Sequence, residues 1–137
     1  MFVDAYTSAL NEGEIIAEVR VPAAATHTGW SYQKLANRAS RFAVVGVAAV
    51  VSVDEQSICT RVRVAVTGAG PSATRARSTE RYLTGKEVTL ESITKAAVRA
   101  TKGIEFLGDI HGSPEYREHL TSELTKRALI QAMARID

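Results

Sequence analysis

The run FAVVGVAAVVSV, Phe42 to Val53, constrains the fold of this chain more than any other stretch. It is rich in valine and apolar at odd and even positions alike, so it reads as a strand buried on both faces. One face carries Ala43, Val45, Val47, Ala49 and Val51, and the other Phe42, Val44, Gly46, Ala48 and Val50. The second face is slimmer at its middle, which predicts that something packs close against Gly46 and the alanines. The run is too short for a membrane-spanning helix, which takes roughly 20 residues.

Its neighbours fix the fold class. Upstream, EIIAEVRV, Glu14 to Val21, is rich in β-branched residues, ends at Pro22 and reads as a strand. Trp30 to Leu35 reads as a second strand, and Ile58 to Val66 as a half-exposed one after the turn DEQS. Beyond the glycine-proline loop TGAGPS the period lengthens to that of helices. Thr74 to Thr84 is expected to be helical and to stop at Gly85. Thr89 caps a second helix running to about Lys102. Ser113 caps a third, with Pro114 at its first position, Glu115 in its first turn and the stripe Tyr116, Leu120, Leu124, Ala128, Met133. Strands followed by segregated helices make an α+β domain: an antiparallel sheet of three to four strands packed on three helices. The chain's 137 residues suit a single domain, 1–137.

Composition excludes several functions. Seventeen basic and fifteen acidic residues leave a net charge of +2, spread without runs, which argues against nucleic-acid binding. The single cysteine, Cys59, allows no internal disulfide. With no signal peptide at the start of the sequence, the expected setting is cytoplasmic, without a membrane. His27, His111, His119 and Cys59 have no zinc-like spacing, so no metal site is expected. No nucleophile elbow is present, and Cys59 on a strand reads as a packing residue. GAGPS lacks the phosphate-binding glycine patterns and reads as a strand-to-helix turn. Arg75 and Arg77 near a helix start read as solvated, with contact to a phosphate or a partner subunit as the alternative. DIHGSPEYR, Asp109 to Arg117, reads as a helix cap with local ion pairing.

The blocks GEIIAEVRVP, GWSYQKLANRASRFAVVGVAAVV, RVRVAVTGAGPSATRARSTERYLTGK and DIHGSPEYREHLTSELTKRALIQA carry more information in order than singly. Together with the lead-in FVDAYTSAL they resemble the C-terminal domain of the FAD-binding, medium subunit of molybdenum hydroxylases, of the carbon monoxide dehydrogenase and xanthine dehydrogenase type. The resemblance implies an oxidoreductase subunit in electron transfer, whose partners are an FAD-binding domain, a molybdopterin subunit and a [2Fe–2S] subunit. The FAD-binding domain, with its pyrophosphate-holding segments, is absent from these residues. The 137-residue chain alone is therefore expected to bind flavin weakly if at all, not to be catalytic, and to self-associate. The competing reading is a stand-alone interaction or assembly module that no longer binds flavin.

The resemblance also implies a cofactor-facing loop, KLANRASRFAVV, between the second and third strands. It assigns flavin-side positions to Lys34, Arg38, Ser40, Arg41 and Phe42, with Phe42 as the aromatic wall against the ring. Arg41 departs from the pattern, since relatives frequently carry Asp there. A cation beside a flavin would favour its anionic reduced form, whereas an arginine turned to solvent would do nothing.

Overall fold

The computed structural model describes residues 2–4 and 7–136. Met1, Ala5, Tyr6 and Asp137 lie outside them, the middle of the lead-in FVDAYTSAL included. In chain order the elements are β1 (Phe2–Asp4), β2 (Thr7–Ser8), β3 (Thr28–Ala36), β4 (Ala43–Val53), β5 (Cys59–Thr67), β6 (Thr74–Arg75), α1 (Arg77–Leu83), α2 (Leu90–Ala97) and α3 (Pro114–Met133). β1 and β2 form a small hairpin, and the main sheet is antiparallel in the order β3-β4-β5-β6. The expected α+β architecture of an antiparallel sheet on three helices is what the chain adopts.

β4 is the central strand, and only one of its faces is core. Val45, Val47, Ala49 and Val51 are fully buried, together with Val62, Val64 and Val66 of β5. α3 lies across this face through Leu124, Ala128, Leu129 and Ala132, with Leu83 and Ile93 of the shorter helices beside it. Each fully buried valine or leucine contributes about 1.5–3 kcal/mol over its exposed state. On the opposite face, Ala48 and Val50 stay open, next to Trp30 and Tyr32 of β3. Burial on both faces is therefore interrupted at Ala48 and Val50 and holds on either side of them, at Ser52 and towards Gly46, where the expected close packing is found. A Cβ on Gly46 would lie 2.4 Å from the Tyr32 hydroxyl, so the missing side chain admits the phenol.

Four expectations need correction. Among the described residues Glu14 to Val21 pairs with no strand and is exposed throughout, and the fourth strand of the sheet is instead the two-residue β6. Because β6 takes Thr74 and Arg75, the first helix begins only at Arg77, although Gly85 does follow it with φ +79°. α2 ends at Ala97 rather than near Lys102, although Thr89 caps it as expected, in a reciprocal box with Ser92. The stripe of α3 is also turned. Arg117, Thr121, Thr125 and Leu129 are buried, whereas Tyr116 is exposed and Leu120 and Met133 only half-buried. Polar side chains enter that seam because Arg117 and Thr121 find carbonyl partners there, the latter on the carbonyl of Arg117 at 2.8 Å.

Cys59 sits in the core because of a register shift. Ser52 pairs with Arg61 but Val53 pairs with Cys59, so Thr60 is extruded and Cys59 changes face. Burial pushes its thiol up to about 11, against a weaker opposing hydrogen bond from the Arg61 amide. It is a packing residue and not a nucleophile.

Candidate functional site

The β3–β4 connection is a tightly built loop. The Asn37 amide donates to the carbonyl of Phe42 at 2.7 Å, and the Arg41 amide to the carbonyl of Asn37 at 3.0 Å. Inside this closure, Asn37 Oδ1 accepts from the amides of Ala39 (2.9 Å) and Ser40 (3.1 Å). Such a side-chain-to-backbone turn is what asparagine favours. Ser40 Oγ accepts from the Phe42 amide at 3.4 Å. Lys34 Nζ, projecting from β3, donates to the Arg41 carbonyl at 3.2 Å. The φ of Arg41 is +63°, a left-handed turn in a non-glycine residue, which places Phe42 at the strand mouth.

The residues singled out in the sequence therefore do lie together. Lys34, Ser40 and the backbone of Arg41 share one hydrogen-bonded unit, and Arg38 is carried on its crest. The Arg38 and Arg41 side chains are exposed. Phe42 is 78% exposed, extreme for a phenylalanine held by a rigid loop.

The loop forms one wall of a cleft whose other wall the sequence reading passed over. Two adjoining hollows of about 430 and 300 Å³ share Asn37, Val44 and His111. Arg38 and Tyr116 line the larger, and Ser40, Phe42, Asp109 and Arg117 the smaller. The segment DIHGSPEYR thus forms the second wall. Asp109 Oδ1 accepts from the amides of His111 and Gly112, and Ser113 Oγ from that of Tyr116 at the start of α3.

Arg117 ties both walls to the sheet. It is 5% exposed. Its Nη1 donates to the carbonyls of Val44 and Gly68, each at 2.6 Å, and its Nη2 pairs with Asp109 Oδ2 at 2.7 Å. These contacts hold together the start of β4, the residue just after β5 and the Asp109 turn. The His111 amide and then the Arg117 guanidinium hold the Asp109 carboxyl below its usual value. Gly68 has φ +77°, and a Cβ there would lie 2.5 Å from the Ala43 carbonyl oxygen, so only glycine permits this crossing. The signal for this wall was present in the sequence as Y-R after a proline-started helix. An arginine on a helix usually reads as solvated, and only the tertiary contacts show this one buried.

The GAGPS loop is not the strand-to-helix turn expected. It leads into β6 rather than into a helix, and Ala69 is buried with its carbonyl accepting from the Leu107 amide. Arg75, read as solvated, is instead bound through Nε and Nη2 to both oxygens of Glu80, each at 2.7 Å. Among the described residues no group of histidine, cysteine and carboxylate side chains is arranged to hold a metal ion. Nor is any helix there long and apolar enough to cross a membrane.

Residues 30–132, from the exposed Trp30 to the buried end of α3, match the family described as the CO dehydrogenase flavoprotein C-terminal domain. This chain belongs to that family. The nicotine 6-hydroxylase medium subunit of Paenarthrobacter nicotinovorans is 36% identical over 98% of this chain and 47% of its own length. The carbon monoxide dehydrogenase medium chain of Hydrogenophaga pseudoflava is 34% identical over 98% of this chain and 46% of its own. The fold of this flavoprotein domain recurs in a solved carbon monoxide dehydrogenase from H. pseudoflava that lacks the Mo-pyranopterin moiety of the molybdenum cofactor. There the TM-score is 0.92 at 35% identity, over 99% of this chain and 47% of that one. Quinoline 2-oxidoreductase from Pseudomonas putida 86 gives 0.85 at 29% identity, over 97% and 46%. The chain thus spans about half the length of the relatives it matches.

Proposed function

We propose that this domain supplies one side of a flavin site in the electron-transfer subunit of a molybdenum hydroxylase-type oxidoreductase, and that it docks the partners of that subunit. The observation that carries the reading is Phe42. A phenylalanine held by a hydrogen-bonded loop, yet almost wholly exposed beside a cleft, suits a flat partner that arrives from outside the domain. The residues fit one face of an isoalloxazine ring. The sequence carries no glycine pattern of the phosphate-binding kind, so these residues are read as facing the ring and not as holding a whole FAD.

In this reading Phe42 covers the ring and keeps water from it. Ser40 and Lys34 hold the loop in shape, and Arg38 and Arg41 present positive charge at its rim. A flavin bound there would supply the relay of electrons from the metal centres to an external acceptor. The isolated domain has no catalytic group of its own in this scheme. The FAD is held by the FAD-binding domain, and the further partners are the molybdopterin and [2Fe–2S] subunits.

The test is a fluorescence titration. The half of the H. pseudoflava medium chain outside the matched span is loaded with FAD and titrated with this chain. Phe42→Trp, whose oxidisable indole quenches a stacked flavin, is expected to quench on binding, whereas Phe42→Ala at unchanged affinity leaves the flavin bright. Binding without quenching by either protein would favour the stand-alone assembly module instead.

A further inference from the structure

The open face of the sheet carries a further hollow, of about 280 Å³, that shares no residue with the cleft beside Phe42. Strand register builds it. Trp30, Val50 and Arg63 stand in one row from β3 across β4 to β5, and Thr28, Ser52 and Arg61 in the next. Each row therefore ends in a cation on β5. The apolar stretch Val21 to Ala25 closes another side.

The lining has two characters. Trp30 and Val50 are exposed, so an apolar surface lies open at its centre. The indole is held in place, because Arg135 sits 4.7 Å from the ring centroid and donates to the Trp30 carbonyl at 3.0 Å. Beside it Ser52 is buried, with its hydroxyl bonded to that of Thr28 at 2.8 Å. The cations, by contrast, lack a counter-ion of their own. Among the described residues no hydrogen bond or ion pair engages the Arg61 guanidinium. Arg63 donates to the adjacent Val62 carbonyl at 2.9 Å and feels the charge of Glu80, whose two oxygens Arg75 already holds. No carboxylate lines the hollow. Arg61 and Arg63 lie two residues apart on one face of a strand, so their charges repel, and an anion between them relieves that repulsion.

We propose that this hollow is a binding site for a small aromatic carboxylate. The ring lies on Trp30 and Val50, and the carboxylate meets Arg61 and Arg63. The row from Trp30 to Arg63 crosses two strand spacings, about 10 Å, which is close to the length of a two-ring aromatic acid. An indole face and a valine take the ring, and guanidinium groups take a carboxylate through paired hydrogen bonds. An apolar hollow with a few convergent polar groups is the common form of a small-molecule site. An inorganic anion would leave the indole uncovered, and a neutral aromatic would leave the two cations unpaired. The site goes beyond the flavin-side reading and uses none of its residues.

A titration of the isotope-labelled chain with 2-naphthoate, followed by NMR, tests this. Trp30 is the single tryptophan, so its indole N–H gives one unambiguous resonance at the site. That resonance and the amides of Val50, Ser52 and Arg61 should shift and saturate, with a Kd on the order of 0.1 mM for so small a ligand. 2-Naphthalenemethanol, with the same rings and no charge, should bind about tenfold more weakly or worse. Replacing both cations, Arg61→Gln with Arg63→Gln, should weaken the acid by about tenfold or more and leave the alcohol unchanged.

Equal affinity for acid and alcohol in the wild type would reduce the hollow to an apolar patch and overturn the proposal. So would undiminished binding of the acid by the doubly substituted chain. Shifts centred on residues 37–42, or none up to about 5 mM, would overturn it as well. Any of these failures leaves the flavin-side reading standing, because that reading is tested at position 42.

Discussion

Two valine-rich runs in this chain meet opposite fates. Val44 to Val53 lies at the centre of a sheet, with Val45, Val47 and Val51 wholly buried. Glu14 to Val21 is also rich in β-branched residues, with Glu14, Glu18 and Arg20 among them, yet Val19 and Val21 are 80% and 82% exposed. β-propensity makes a segment eligible for a sheet, and a neighbour with a free edge and an apolar face decides whether it joins one. β4 finds β3, β5 and α3 within the chain. For residues 14–21 none of the described elements serves.

Substituting matched positions gives the largest expected effect. Val47→Asp places an unpaired carboxylate in the core and should cost about 4 kcal/mol or more, enough to unfold a marginal domain. Val19→Asp should leave the thermal midpoint within error. A comparable loss at both sites, measured by thermal or urea unfolding, would erase the contrast.

Arg117→Met comes next. It leaves the carbonyls of Val44 and Gly68 without their donor and Asp109 without its partner. A loss of about 3 kcal/mol is expected in urea unfolding. Because both walls of the cleft hang on this side chain, exchange of the Ala39 and Ser40 amides should quicken as well.

Glu80 gives a smaller, pH-dependent effect. Burial pushes its carboxyl up, but the hydrogen bonds from Arg75 and the Val64 amide, with the charges of Arg75 and Arg63, bring it below 4.5 on balance. A lowered folded value stabilises the protein above the unfolded value, and that contribution fades as the pH falls through the folded one. Glu80→Gln should therefore cost about 2 kcal/mol at neutral pH and flatten the acid side of the stability profile below about pH 4.5. An unchanged acid limb would show that other carboxylates set it.

The smallest effect should be a gain. Thr125 Oγ1 is buried without a hydrogen-bond partner among the described residues. Thr125→Val should stabilise by about 1 kcal/mol in the same assay, sharpening the boundary of the covered face.

The two runs also show what the sequence could reveal. β3, β4 and β5, the caps at Thr89 and Ser113 and the stop at Gly85 were legible because local pattern and tertiary context agree there. The strand at 14–21 was legible as a pattern but not as a contact. The bulge at Thr60 and the turned seam of α3 were hidden, since both depend on register and on distant carbonyls. For the cleft, the loop wall from Lys34 to Phe42 was marked by charge beside an aromatic. The wall from Asp109 to Arg117 looked like an ordinary helix start, because burial of Arg117 is decided by Val44 and Gly68, both remote in sequence.

The central claim is that the exposed Phe42 faces a flavin carried by another domain, and a photochemical contact measurement tests it most directly. Benzoylphenylalanine is placed at position 42, or as a control at the exposed Val98 on the far end of α2, and each protein is irradiated with the FAD-loaded outer half of the H. pseudoflava medium chain. The account predicts a cross-link from position 42 to the FAD or to peptides lining it, and none from position 98. Equal yields from the two positions, or a cross-link from 42 that maps away from the flavin, would contradict it.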